Sequence, residues 1–126
     1  MSAPPVVLVV EDNAELRHVL KEALASEGYE VLAARDETEA LEVLRANRVD
    51  LMISDLTDPP PASTNPEAVR QEFPDLPVVA MSGGAGGHPG LFFGAWQAPK
   101  GYWTLPKPFR LGELLAVSRE ALGAVR

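Results

Sequence analysis

"VVLVVEDNAELRHVLKEALASEG", residues 6–28, holds the change of pattern that decides the fold. Val6 to Val10 is an unbroken aliphatic run, the mark of a strand buried on both faces. After two acids the period changes. Leu16, Val19, Leu20, Ala23 and Leu24 recur at helical spacing, and Gly28 stands where a helix stops. The unit is a buried strand followed by an amphipathic helix.

The same alternation continues along the chain. "YEVLAA" (29–34) reads as a second strand, and Asp36 with Glu39 three residues on caps a helix carrying Ala40, Leu41 and Leu44. "VDLMISD" (49–55) is a third buried strand ending at Asp55, "LPVVAMS" (76–82) a fourth and "GYWTL" (101–105) a fifth. The closing stretch, 110–125, puts Leu111, Leu114, Leu115, Ser118, Leu122 and Val125 on one helical face. Two intervening segments are irregular. "LTDPPPASTNP" (56–66) is loop, followed by at most two helical turns in "PEAVRQEF". "GGAGGHPG" (83–90) is loop again, before a short helix in "LFFGAWQA" weakened by Gly94. The order is βαβαβαβαβα. It predicts an α/β fold, a doubly wound parallel sheet with helices on both faces and right-handed crossovers. No repeat or linker divides the chain, so residues 1–126 read as a single domain.

Bulk composition narrows the function. A net charge of −7 offers no basic face to a phosphate backbone, so direct nucleic-acid binding is disfavoured, as is adsorption to anionic membranes. No cysteine is present, which removes disulfides and thiolate metal sites. "PPVVLVV" is too short for a membrane span and lacks a basic leader, which predicts a cytoplasmic protein.

In a doubly wound sheet, ligands bind at the carboxyl ends of the strands. Those ends carry Glu11 and Asp12, then Asp55, then Ser82 with Gly83 and Gly84, then Lys107 between Pro106 and Pro108. Three crowded carboxylates repel one another, and a hard divalent cation such as Mg²⁺ relieves the repulsion. With Lys107 the charges then balance. Such a rim suits phosphoryl transfer: one carboxylate attacks phosphorus, the cation and Lys107 hold the developing negative charge, and Ser82 donates to a phosphoryl oxygen.

The pieces "VVLVVEDN", "DLMISDL", "LPVVAMSGG" and "LPKPFRLGELL", in this order, resemble the receiver domain of bacterial two-component response regulators. The resemblance implies a CheY-like, flavodoxin-like (βα)₅ fold with strand order 2-1-3-4-5. It implies Asp55 as the phosphoacceptor, served by a sensor histidine kinase or phosphotransfer protein. Mg²⁺ would be held by Glu11, Asp12, Asp55 and the backbone carbonyl of Thr57. Ser82 would swing toward the phosphoryl group, and Lys107 would pair with it. Thr57 and Gly84 would flank the path of an attacking water. Both are small, which implies an open path and a short-lived phosphoryl group. The protein would act as a stand-alone receiver, not an enzyme beyond its own phosphorylation and dephosphorylation, signalling through contacts with a downstream protein. A homodimer is among the assemblies this allows, and "LFFGAW" is a candidate apolar contact.

Departures are local. Pro59 fits the family pattern, but "PPPASTNPEAV" replaces the usual Asp-Gly opening of the third helix, so that helix and the fourth should be short. Thr104 stands where an aromatic switch residue is usual, with Trp103 and Tyr102 beside it.

Blander readings compete. Glu11 and Asp12 can serve as helix caps. His18 reads as a surface residue, and His88 sits in a glycine loop. "GGAGG" follows the wrong strand for a dinucleotide fingerprint, and no Walker lysine exists. Two other functions fit less well. A pseudo-receiver would keep the fold and bind proteins without phosphate, which suits the eroded helices but not the intact acids, Ser82 and Lys107. A haloacid-dehalogenase-type phosphatase needs an Asp-x-Asp pair, and Asp55-Leu56-Thr57 lacks the second acid.

Overall fold

The computed structural model describes residues 4–55, 67–82, 102–106 and 109–123. Its elements run β1 (Val6–Val10), α1 (Ala14–Ser26), β2 (Glu30–Ala34), α2 (Glu37–Ala46), β3 (Leu51–Asp55), α3 (Glu67–Glu72), β4 (Val78–Ser82), β5 (Tyr102–Pro106) and a last helix, here α4 (Leu111–Gly123). The strands form one parallel sheet in the order β2-β1-β3-β4-β5. This is the predicted doubly wound architecture and the strand order implied by the family resemblance. The third helix is short, six residues, as its sequence predicts. The helix expected around 91–98 lies outside the described residues, as does Val125.

The central strands read as continuous apolar runs because each feeds two cores. Val7 and Val9 of β1 join Leu51 and Ile53 of β3 and Val79 and Met81 of β4 under α1 and α4, where Leu20, Leu24, Leu114 and Ala121 close over them. Leu8 and Val10 point the other way with Met52 and Val78, beneath Ala40 and Leu44 of α2 and Val69 of α3. Strand alternation delivers this split without any change of residue type.

Two details of the helical pattern are corrected. Val19 is 44% exposed, and Leu111 is 42% exposed. Helical spacing marks a face about one position wide of the contact line, and the packing of α1 and α4 chooses within it. Ala121, a small residue absent from the predicted face, is fully buried in α4. His18 is exposed, as predicted.

The predicted helix ends are found. Asp36 caps α2, its Oδ1 accepting the Glu39 N–H at 2.9 Å. Glu39 reaches back to accept the Arg35 N–H at 2.9 Å, a capping box displaced by one residue. Gly28 ends α1 with φ of +92° and donates to Ala25 O at 3.0 Å. A side chain there meets no neighbour, so the cost is purely that of the left-handed backbone. Gly28→Ala is expected to destabilise the chain by about 1–2 kcal/mol, read as a shift of the urea midpoint with unchanged slope.

Candidate phosphoryl site

The register of the sheet brings Glu11 and the backbones of Asp55 and Ser82 to one rim. Val10, the last residue of β1, pairs with Ser54, so Glu11 follows β1 at the level where Asp55 ends β3. Asp55 pairs with Met81, which puts Ser82 one step further along the same rim. Ser82 pairs with Pro106, the residue before Lys107. The backbones of Asp55 and Ser82 thus end adjacent strands. Their side chains, and Thr57 and Lys107 altogether, lie outside the described residues, as does the Thr104 side chain.

The two acids after β1 differ in environment. Glu11 is 2% exposed, while Asp12 is open to solvent. The Glu11 N–H donates to Ala34 O of β2 at 3.0 Å, which carries the sheet pairing one residue past β1. Its Oε2 accepts the Asn13 N–H at 3.2 Å, and its carbonyl accepts from Arg17 Nη1 at 2.8 Å. The cap of α1 is neither acid. Asn13 has the extended backbone of a cap, and its side chain accepts the Leu16 N–H at 2.9 Å. The capping role that competes with a binding role for Glu11 and Asp12 is therefore filled by their neighbour.

These donors suit a hard cation: they are all oxygen and anionic, at the mouth of a parallel sheet. Among the described residues no three carboxylate or imidazole side chains gather into a metal cluster. The neighbouring rim carries Glu37, in the first turn of α2, whose Oε2 is buried with no hydrogen-bond partner among the described residues. Burial pushes the Glu37 carboxyl up from its ordinary value. At the opposite end of the sheet a depression of about 480 Å³ is lined by Leu44, Phe73, Leu76 and Pro77 with Arg48, Asp50 and Asp75. It is remote from the rim. Beside it, Arg45 holds Glu72 through two 2.6 Å hydrogen bonds, which depresses the Glu72 carboxyl.

Sequence reading missed Asn13 as the cap and Arg17 as a neighbour of the acids. Asn thirteen residues in, three before the first apolar helical residue, was the available signal for the first. The second had none, because a bond from a side chain to a backbone carbonyl leaves no residue pattern. Trp103 on the edge strand β5 also finds an unpredicted partner, donating through Nε1 to Glu120 of α4 at 3.0 Å. No helix among the described residues is long and apolar enough to cross a membrane.

Comparisons with known proteins agree with this geometry. The model of the response regulator receiver domain matches residues 7–119. The chain is 35% identical over 125 residues to the response regulator MprA of Mycobacterium sp. (strain KMS), covering 94% of this chain and 51% of that protein. It is 33% identical over 125 residues to the sensor kinase CckA of Brucella abortus (strain 2308), covering 97% of this chain and 13% of that one. The crystal structure of a response regulator receiver protein from Sinorhizobium medicae WSM419 superposes with a TM-score of 0.80 at 25% identity, covering 98% of both chains. The chain spans about half or less of the length of the curated relatives it matches. With its parallel 2-1-3-4-5 sheet and acids following β1 and ending β3, the chain belongs to the response regulator receiver domain family of two-component systems.

Proposed function

We propose that the chain accepts a phosphoryl group on Asp55 from a sensor histidine kinase or phosphotransfer protein and signals through contacts that depend on that group. The observation that carries this is the sheet register, with Val10 beside Ser54, Asp55 beside Met81 and Ser82 beside Pro106. That register supports the reading, because Glu11 follows β1 while Asp55 and Ser82 end the neighbouring strands β3 and β4.

In this reading an Asp55 oxygen attacks phosphorus, and the bond to the donor nitrogen breaks with its electron pair leaving on the donor. Glu11, Asp12, Asp55 and the Thr57 backbone carbonyl would hold Mg²⁺, which would supply positive charge against that on the phosphoryl oxygens. Lys107 contributes the remaining positive charge and Ser82 a hydrogen bond.

The test is the intact mass of the chain after incubation with acetyl phosphate. One phosphoryl adduct that requires Mg²⁺ and disappears with a chelator is the expected result. A folded chain that takes no adduct points instead to a pseudo-receiver that binds without phosphate.

The lifetime of the adduct is a second expectation. Thr57 and Gly84, two residues after Asp55 and Ser82, are small, and in this reading they would leave water a path to phosphorus. Decay followed by mass after removing the donor should be complete within minutes. Persistence for many hours would mean the path is closed.

A further inference from the structure

The acidic turn between β1 and α1 is gripped by a cation. Arg17, in the first turns of α1, donates from Nη1 to the Glu11 carbonyl at 2.8 Å, with the Asp12 carbonyl at 3.5 Å from the same nitrogen. The other bonds of the turn have separate tasks. The Glu11 N–H fastens to β2 through Ala34 O, the Asn13 N–H holds the Glu11 side chain, and the Asn13 side chain starts the helix. Arg17 acts on the peptide unit between Glu11 and Asp12. The Glu11 carbonyl and the Asp12 N–H lie in a single rigid plane, so holding the carbonyl restrains the backbone that joins the two acids.

We propose that Arg17 is a positioning residue for divalent-cation binding, its guanidinium locking the peptide plane that joins Glu11 to Asp12 before the ion arrives. The inference rests on the reading of Glu11 and Asp12 as the metal-binding pair. Two effects of Arg17 oppose each other. A charged donor on a carbonyl is a strong restraint, and losing such an outer partner typically costs 10–100-fold in metal affinity. The guanidinium also repels a cation. It is only half-buried, so water and salt screen that repulsion, with a Debye length of about 8 Å at physiological ionic strength. The restraint should therefore prevail at physiological salt.

Calorimetric titration of the full chain with Mg²⁺ alone, at physiological ionic strength, separates the two effects. Arg17→Ala is expected to weaken Mg²⁺ binding by about tenfold. Arg17→Gln keeps an N–H donor without the charge and should recover most of that loss. The Mg²⁺-free melting temperature, measured alongside, should stay near that of the native chain, which a general loss of structure would not allow. If Arg17→Ala fails to fold, Arg17→Met keeps the aliphatic stem and carries the same expectation. Arg17→Ala, or Arg17→Met in its place, binding Mg²⁺ within about twofold of the native chain overturns the positioning role, and so does tighter binding by both Ala and Gln variants, which would make repulsion the dominant effect. A native chain that takes up no Mg²⁺ is a different failure, because it removes the metal reading itself.

Discussion

Asp55→Asn is expected to take up no phosphoryl group from acetyl phosphate and Mg²⁺, where the native chain takes one. The change is nearly isosteric and leaves the backbone of β3 paired on both sides, with β1 through Ser54 and with β4 through Asp55 itself. What it removes is chemical: an amide oxygen has no negative charge with which to attack phosphorus. The neighbouring acids do not substitute. Glu11 is buried and already holds the Asn13 N–H, and Asp12 stands a further residue away from the strand end. A companion change, Lys107→Ala, keeps the nucleophile but removes a cation from the developing charge. It should slow adduct formation by about 10²–10³-fold, as loss of a donor to an oxyanion does elsewhere. Both variants are read by intact mass against time, with circular dichroism to confirm folding. An adduct on Asp55→Asn equal to that on the native chain would place the acceptor elsewhere and sink the assignment.

The largest expected effect on stability is at Leu24. It is fully buried in the core between the sheet and the pair α1 and α4. Leu24→Ala removes three carbons from a site walled by strands on one side and a helix on the other, where collapse is limited. The loss should be about 2–5 kcal/mol. For a domain of this size, a loss near the middle of that range lowers the melting temperature by roughly 10–15 °C. Val19, five residues earlier on the same helix, is the internal control. It looks equally apolar in sequence but is 44% exposed, so Val19→Ala should change stability by no more than about 0.5 kcal/mol. Equal losses at the two positions, measured by urea unfolding, would mean that α1 is rotated relative to the sheet.

That pair of residues also shows what could be read without coordinates. Periodicity identified α1 and its apolar face, yet it ranked Leu24 and Val19 alike. An apolar stripe spans a third of the helix circumference or more. Which edge of it meets the sheet depends on where α4 packs. The same holds at the far end of the chain, where the fully buried Ala121 replaces the exposed Leu111 on the inner face. The candidate site could be proposed from sequence to a similar depth. Acids, hydroxyl and lysine at strand ends followed from residue type and βα order. The triplet Glu11-Asp12-Asn13 offered three residues able to cap a helix, and only the backbone, extended at Asn13 with φ −78° and ψ 116°, decides which one does.

The sequence by itself determined the alternation of strands and helices, because unbroken aliphatic runs such as Val6–Val10 and 3.6-residue periodicity admit few other foldings. It also determined which residues are chemically able to handle a phosphoryl group. Tertiary structure alone decided the register that sets Glu11 level with Asp55, the burial of Glu11 against the exposure of Asp12, and the bond from Arg17 to the turn between them. Each of these depends on the angle and offset at which separate elements meet. The register and the Arg17 bond both end on backbone atoms that every residue carries, and so they leave no mark in the order of side chains.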